Sequence, residues 1–297
     1  MHQTYKPVCE NEASLPTLLH TPELAFKSRT QTINLEQTTS TPVFLLHGVP
    51  QGSILGPLLF CVYMTPQGQI IRKHNMMLRI YADYTQIYYF IEPNSPDSRA
   101  EALERVQICV QNIRSWMTNA CLKLNDEKTE LLVIFFPHNQ PKVKDMAIQI
   151  GDSVITRTKS CSNLGVIFDA TLNLRNHVAQ VCCTAFFQLR NICAVRKCLT
   201  YEAREQLIHL FVTSRIDYCN SLLVNLPKCL LKQVQRVQNV AAKILTLKHN
   251  YDHVCPLLIE LHWLPIPLRI HYKCLLLIYK CLTTGEPSYL SDLLTVY

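Results

Sequence analysis

The sequence has no Cys-x-x-Cys pair among its 14 cysteines. The cysteines at positions 182, 183, 193 and 198 also lack a histidine at a zinc-site spacing, which argues against a zinc protein. A chain of 297 residues that is 48% hydrophobic does not need a disulfide scaffold. We therefore expect a reduced, intracellular protein, located in the nucleus, the cytoplasm or both.

Long apolar runs are also missing. The longest, Ile54 to Met64, contains Gly56 and Pro57 and is too short to span a bilayer. The first residues show no apolar stretch after a basic start, so no signal peptide is expected. The sequence thus predicts no transmembrane segment and no membrane partner.

Charge is unevenly distributed. Residues 1–170 hold 15 Lys and Arg against 15 Asp and Glu, whereas residues 171–297 hold 14 against 7 and so carry the whole net charge of +7. A basic half is typical of proteins that bind a polyanion such as nucleic acid. The alternative is solvated charge on the outer faces of helices.

Patterning predicts a mixed α+β protein. Residues 1–23 read as an unstructured leader, and Ser28 to Leu46 as a hairpin. Ser53 is suited to cap a helix that runs toward Met64, and two strands are expected within 77–90 around a turn at Ala82 to Thr85. A helix should open at Pro96, with one apolar face formed by Leu103, Val106, Val110, Ile113 and Met117.

The remaining elements follow from the same patterns. Leu131 to Phe136 is suited to a buried strand, Ala147 to Thr156 to a hairpin that turns at Gly151, and Leu164 to Phe168 to a short strand. Beyond residue 170 the apolar spacing is helical. Its stripes cover 174–196, 201–213, 230–244 and 267–282.

Glycine is scarce, yet three of the seven glycines fall between Gly48 and Gly56, within the run GVPQGSILGPLLF. Gly52 lets the backbone approach a ligand closely, and the free N–H groups of a helix start favour a phosphate. Gln51 offers both a donor and an acceptor to a base or sugar edge. The run predicts a ligand-binding loop.

A second candidate is Tyr81-Ala82-Asp83-Tyr84, which lies between two predicted strands. A carboxylate held on a tight hairpin is suited to be a metal ligand. The alternative is that Asp83 merely serves the turn, where aspartate is common.

These two motifs, in this order, resemble the reverse transcriptase of LINE-type (non-LTR) retrotransposons, in which a GVPQGS loop precedes a YADD hairpin. Four further segments resemble the same family from residue 24 to the end. They are SRTQTINL from Ser28, WMTNACLKLNDEKTELLVI from Trp116, NLGVIFD from Asn163 and LHWLPIPLRIHYKCLLLIYKCL from Leu261. The resemblance implies a partial right-hand palm over 24–170 and a basic helical thumb and C-terminal region over 171–297.

The resemblance implies catalysis by two Mg²⁺ ions held by three aspartates, one upstream and two in YADD. Asp83 matches the first YADD aspartate, but Tyr84 stands in place of the second. A phenol stays protonated at neutral pH and offers no anionic oxygen. Asp83 is also the first aspartate in the sequence, so we expect a fragment truncated at its N-terminus, with Mg²⁺ binding weak or lost and polymerase activity absent.

Other roles are implied by the same resemblance. Tyr81 and the loop residues Pro50, Gln51, Gly52 and Ser53 would contact nucleotide or template. Lys128 would donate a proton to pyrophosphate, or is simply a solvated lysine. Leu164, Gly165 and Val166 would grip the primer, or form an ordinary strand with a bulge glycine. Tyr81 itself is better suited to a core strand than to a base-stacking platform.

Three hypotheses follow for the function. The chain is a polymerase fragment with an RNA template and DNA primer as partners, a non-catalytic nucleic-acid binder, or a decayed reading frame without a selected function. The sequence leaves the oligomeric state open.

Overall fold

A computed structural model describes residues 30–35, 38–44, 54–92, 94–143, 146–151, 153–249 and 251–295. It is a mixture of helices and small sheets, which confirms the α+β class. Contacts divide the chain into two units. Unit 1 comprises residues up to 129 together with 145–156, and unit 2 comprises 130–144 and 157 onward. The predicted boundary at residue 170 separates a palm from a thumb and is a different division from these two units. It stays a prediction.

Unit 1 begins with the predicted hairpin. Strand β1 (Thr30–Gln31) pairs antiparallel with β4 (Val43–Phe44), and β2 (Asn34–Leu35) pairs with β3 (Thr38–Thr39) inside it. The hairpin is confirmed over the described residues. The leader over 1–23 lies outside them.

Two helices follow where one was predicted. Helix α1 (Gly56–Tyr63) has Leu55 at its N-cap, two residues later in the chain than the expected Ser53, which lies outside the described residues. Helix α2 (Thr65–Lys73) was not predicted, because its sequence TPQGQIIRK has only two strongly apolar residues. Proline at the first turn of α2 starts the new helix, since its missing N–H needs no partner there.

Strands β5 (Met77–Tyr81) and β6 (Tyr84–Tyr88) form the second predicted hairpin, and helix α3 (Pro96–Asn119) begins where expected. The hydroxyl of Ser95 caps α3 by accepting from the Ser98 N–H at 3.2 Å. The core of unit 1 brings α2, β5 and α3 together. Its buried members are Ile71, Met76, Cys109 and Ile113.

A third hairpin packs on α3. Strand β8 (Ala147–Ile150) pairs antiparallel with the first four residues of β9 (Ser153–Thr158), as predicted. Arg114 of α3 donates to the Ile150 carbonyl and forms an ion pair of 3.1 Å with Asp126. This arginine therefore joins the helix both to the hairpin and to the loop that precedes Lys128.

In unit 2 the predicted buried strand over Leu131 to Phe136 is wrong in extent. Strand β7 (Leu131–Leu132) is only two residues long, and it pairs in parallel with Arg157 and Thr158. Phe136 is 73% exposed, and a 3-10 helix (Pro137–Val143) follows directly. The apolar run from Leu131 to Phe136 does not itself show how many of its residues pair with a neighbouring strand.

Strands β10 (Ser160–Asn163) and β11 (Val166–Asp169) form a hairpin ahead of the helices. The described residues beyond it are helical, as expected. The helices are α4 (Arg175–Val195), α5 (Tyr201–Ile208), α6 (Ser214–Asp217), α7 (Lys228–Leu245), α8 (Val254–Glu260), α9 (Ile266–Thr284) and α10 (Ser288–Ser291). A π-helical turn (His209–Thr213) connects α5 to α6.

One continuous core holds unit 2. It joins α4, α7 and the start of α9 through residues such as Val178, Leu189, Val234, Val237 and Ile266. Helix α4 has a mean hydropathy of 1.3, enough to resemble a membrane span. One face of α4 lies in this core.

Candidate functional site

The YADY motif forms the tip of the β5–β6 hairpin. Tyr81 and Tyr84 are its last paired residues, which leaves Ala82 and Asp83 as a two-residue loop. Ala82 has φ 51°, a left-handed value that residues with a Cβ rarely adopt. The Asp83 side chain is exposed at this tip. The predicted turn is confirmed and is tighter than the expected Ala82 to Thr85.

Helix α2 contacts the hairpin and supports it. Gln67 is 3% exposed, and its Oε1 accepts from the Thr85 hydroxyl at 3.1 Å. Leu78 and Ile87, paired across the strands, pack against the core of unit 1. This partly buried hydrogen bond and the packing of Leu78 and Ile87 support the tip, as the carboxylate hypothesis requires.

We expect Ala82→Gly to stabilise unit 1 by roughly 0.5–1 kcal/mol, because glycine adopts a left-handed φ without the steric cost that Ala82 bears. The measurement is the free energy of unfolding in urea. Ala100→Gly is the control. Ala100 is an exposed residue in the first part of α3, so glycine there should cost about 1 kcal/mol. Destabilisation by both substitutions would contradict the left-handed turn.

The described residues do not fit a pair of Mg²⁺ ions at this tip. Asp83 supplies a single carboxylate, and its neighbour Tyr84 supplies none. Nowhere in the part of the chain that the structure describes do three His, Cys, Asp or Glu side chains converge to hold a metal. Mg²⁺ prefers several anionic oxygens, so one exposed carboxylate is a poor site.

The structure does not reach the loop candidates. Pro50, Gln51, Gly52 and Ser53 all lie outside the described residues, and their roles stay predictions. Tyr81, the fifth residue predicted to contact nucleotide or template, is 68% exposed at the end of β5. This exposure makes Tyr81 accessible to a ligand.

Lys128 ends a 3-10 helix (Asp126–Lys128) in unit 1, with its side chain exposed. The backbone N–H of Lys128 donates to Oδ1 of Asn125 at 3.2 Å, which caps the helix. Among the described contacts, no hydrogen bond or ion pair joins Lys128 to Asp83. The structure thus places Lys128 in a defined turn without linking it to the hairpin tip.

The predicted primer grip is a hairpin turn in unit 2. Leu164 and Gly165 form the two-residue loop between β10 and β11, with φ values of 46° and 81°. Two positive values are the signature of a type I′ turn. The strand predicted from Leu164 therefore begins at Val166, which is buried, and Gly165 is a turn residue and not a bulge.

Two residues that hold this hairpin were missed from the sequence. The Tyr218 hydroxyl donates to the Leu164 carbonyl at 2.6 Å from a position 54 residues away. Asp169, which ends the NLGVIFD motif, is buried and accepts from the backbone N–H groups of Thr171, Asn173 and Leu174. The spacing Asp-x-Thr-x-Asn carries a signal for this turn, whereas no local signal marks Tyr218.

The pKa of Asp169 is lowered. Burial acts most strongly and by itself would raise the pKa, but hydrogen bonds from the Thr171 hydroxyl and from three backbone N–H groups together outweigh it. The carboxylate is therefore charged in the folded protein, and it fixes the segment that leads into α4.

Comparisons with known proteins agree with the motifs. The profile of the reverse transcriptase (RNA-dependent DNA polymerase) family matches residues 14–168, just over half of the chain. The "Probable RNA-directed DNA polymerase from transposon X-element" of Drosophila melanogaster is 26% identical over 153 residues, which cover 50% of this chain and 16% of that protein.

Two further relatives are similar. The "Probable RNA-directed DNA polymerase from transposon BS" of Drosophila melanogaster is 24% identical over 72% of this chain and 24% of its own length. The "RNA-directed DNA polymerase from mobile element jockey" of Drosophila funebris is 22% identical over 56% of this chain and 18% of its own. The chain thus spans a quarter or less of these relatives. No solved structure matches it significantly.

Proposed function

Because the chain belongs to the reverse transcriptase (RNA-dependent DNA polymerase) family, we propose that it holds a nucleic-acid template and primer without extending the primer. The relatives that it resembles are polymerases of LINE-type mobile elements. In this proposal residues 24–170 correspond to part of the palm, and residues 171–297 correspond to the thumb and C-terminal region.

The observation that carries the proposal is the tip of the β5–β6 hairpin. The tip would present two adjacent carboxylates, one from the turn and one from the first residue of β6, yet only Asp83 supplies a carboxylate and Tyr84 supplies a phenol. Nucleotide transfer by paired Mg²⁺ ions needs several anionic oxygens around the metals. We therefore propose that substitution at position 84 removes catalysis while the hairpin itself persists.

A cationic surface supports retained binding. Helix α7 contains no acidic residue, and three of its cations, Lys228, Lys232 and Arg236, are exposed at steps of four residues. The helical rise of about 1.5 Å per residue spaces them roughly 6 Å apart along one side of α7. None of the three forms an ion pair among the described residues. This α7 stripe is suited to phosphate groups of a nucleic-acid backbone.

The remaining site residues take family roles within this proposal. Tyr81 and the loop residues Pro50 to Ser53 would contact the template, and Lys128 would lie near the departing pyrophosphate in an active relative. The turn of Leu164, Gly165 and Val166 would contact the primer backbone through its exposed edge. Each of these roles is inferred from the position of the residue within a family motif.

The test is binding of a labelled RNA–DNA primer–template to the purified chain, measured by fluorescence anisotropy at increasing salt. We expect affinity to fall steeply with salt and to differ little between sequences, because phosphate contacts dominate. Addition of nucleotides and Mg²⁺ should leave the primer length unchanged. Salt-independent binding, or none at low salt, would contradict the proposed interface.

A further inference from the structure

Helix α9 is apolar on two opposite sides. One side faces the core of unit 2 through Ile266 and Ile270, and Cys281 farther along the same side is also buried. The other side presents five large residues that are all exposed: Leu268, Tyr272, Leu275, Tyr279 and Leu282. We call these five residues the α9 seam. A helix that is apolar on opposite sides normally has both sides covered.

The spacing of the α9 seam identifies what could cover it. Its members recur at intervals of four, three, four and three residues, which is the heptad pattern of a helix that packs along another helix. The order Leu-Tyr-Leu-Tyr-Leu also reads the same in both directions about Leu275. An antiparallel copy centred on Leu275 would therefore place Leu275 against itself and Leu268 against Leu282, and would bring Tyr272 and Tyr279 to within one residue of the same level.

We propose that the α9 seam is a homodimer interface in which the α9 helices of two chains pack antiparallel about a two-fold axis at Leu275. A two-fold interface requires a surface complementary to itself, and the palindromic seam meets that requirement because each layer pairs with one of matched composition. This inference is independent of the proposed nucleic-acid function.

The charges on α9 favour the antiparallel arrangement. The helix has three cations, Arg269, Lys273 and Lys280, and no acidic residue. In a parallel pair each of the three cations would lie level with its own copy, whereas the antiparallel pair brings only Arg269 close in level to a cation, Lys280 of the other copy. Arg269 is further engaged by Asp217 at 2.5 Å. The dipoles of the two α9 helices would also point in opposite directions, which favours the antiparallel pair.

The first test is sedimentation velocity of the full chain over a range of concentrations. We expect a concentration-dependent dimer, and we expect Leu275→Glu to weaken its association roughly a hundredfold, because two unpaired carboxylates would be buried face to face. Leu210→Glu is the matched control, since Leu210 is 63% exposed against 65% for Leu275 and lies outside α9. Circular dichroism should show that both variants stay folded.

The second test fixes the direction of packing. Tyr272→Lys and Tyr279→Glu should each weaken the dimer, and the two together should restore it, because the antiparallel pair sets each lysine against a glutamate. A parallel pair predicts that the double variant is weaker than either single one. That result would overturn the arrangement.

Other occupants give distinct outcomes. A wild-type chain that is monomeric at all concentrations, or a dimer that Leu275→Glu leaves intact, overturns the proposal. A monomer that binds vesicles of mixed neutral and anionic phospholipid, and loses this binding in Leu275→Glu, would assign the seam to a membrane surface instead.

Discussion

Asp169→Asn should lower the free energy of unfolding of unit 2 by about 3 kcal/mol. Oδ1 of Asp169 accepts from the Thr171 N–H, the Thr171 hydroxyl and the Asn173 N–H, and Oδ2 accepts from the Leu174 N–H at 2.8 Å. In either orientation of the amide, an NH₂ group would face one of these donors. The loss should appear as an earlier urea transition, measured by far-ultraviolet circular dichroism.

The same carboxylate predicts a pH dependence. Because the folded-state pKa of Asp169 is lowered from 3.8, its contribution is present at neutral pH and is lost as the pH falls through that lowered value. Asp169→Asn should therefore lose less stability than the wild type on acidification. Asp292→Asn, an exposed aspartate in the same unit, is the control and should change stability by less than about 0.5 kcal/mol. Equal effects at the two positions would contradict the capping role.

The second large effect concerns the α7 stripe. Replacing Lys228, Lys232 and Arg236 together by glutamine should weaken primer–template binding by roughly tenfold or more at low salt. The slope of log affinity against log salt should also become shallower by about two to three, since each phosphate contact contributes nearly one. Because all three side chains are exposed, stability should barely change.

A matched triple variant tests whether the position of the three cations or the total charge of the protein determines binding. Lys73, Lys123 and Lys197 are exposed and lie outside α7, so their replacement by glutamine removes the same three charges. We expect this control to weaken binding much less and to leave most of the salt slope. An equal loss in both triples would show that net charge, and not the α7 stripe, attracts the nucleic acid.

Periodicity predicted the elements whose pattern is local. The face of α3 and the hairpins around Ala82 and Gly151 follow directly from spacing and turn residues, and the structure places them as expected. Helix α2 escaped prediction because its first half is polar. Two of its three buried residues, Gln67 and Gly68, are not apolar side chains, so no apolar pattern reveals them.

Contacts distant in sequence could not be predicted in the same way. The end of β7 depends on which residues of β9 reach it, and the left-handed turn at Leu164 is stabilised by Tyr218 from another element. At the candidate site, the sequence identified Asp83 and Tyr84 by motif position. It could not show that the Thr85 hydroxyl donates to buried Gln67 and so supports the hairpin.

Primer extension is the most direct measurement of the central claim. The purified chain, saturated with a primer annealed to a homopolymer template, is supplied with nucleotides and either Mg²⁺ or Mn²⁺. We predict that the wild type adds no nucleotide, and that Tyr84→Asp adds none either, since no aspartate precedes Asp83 in this sequence to complete the set. Robust extension by the wild type would contradict the account, and extension by Tyr84→Asp alone would show that two carboxylates suffice.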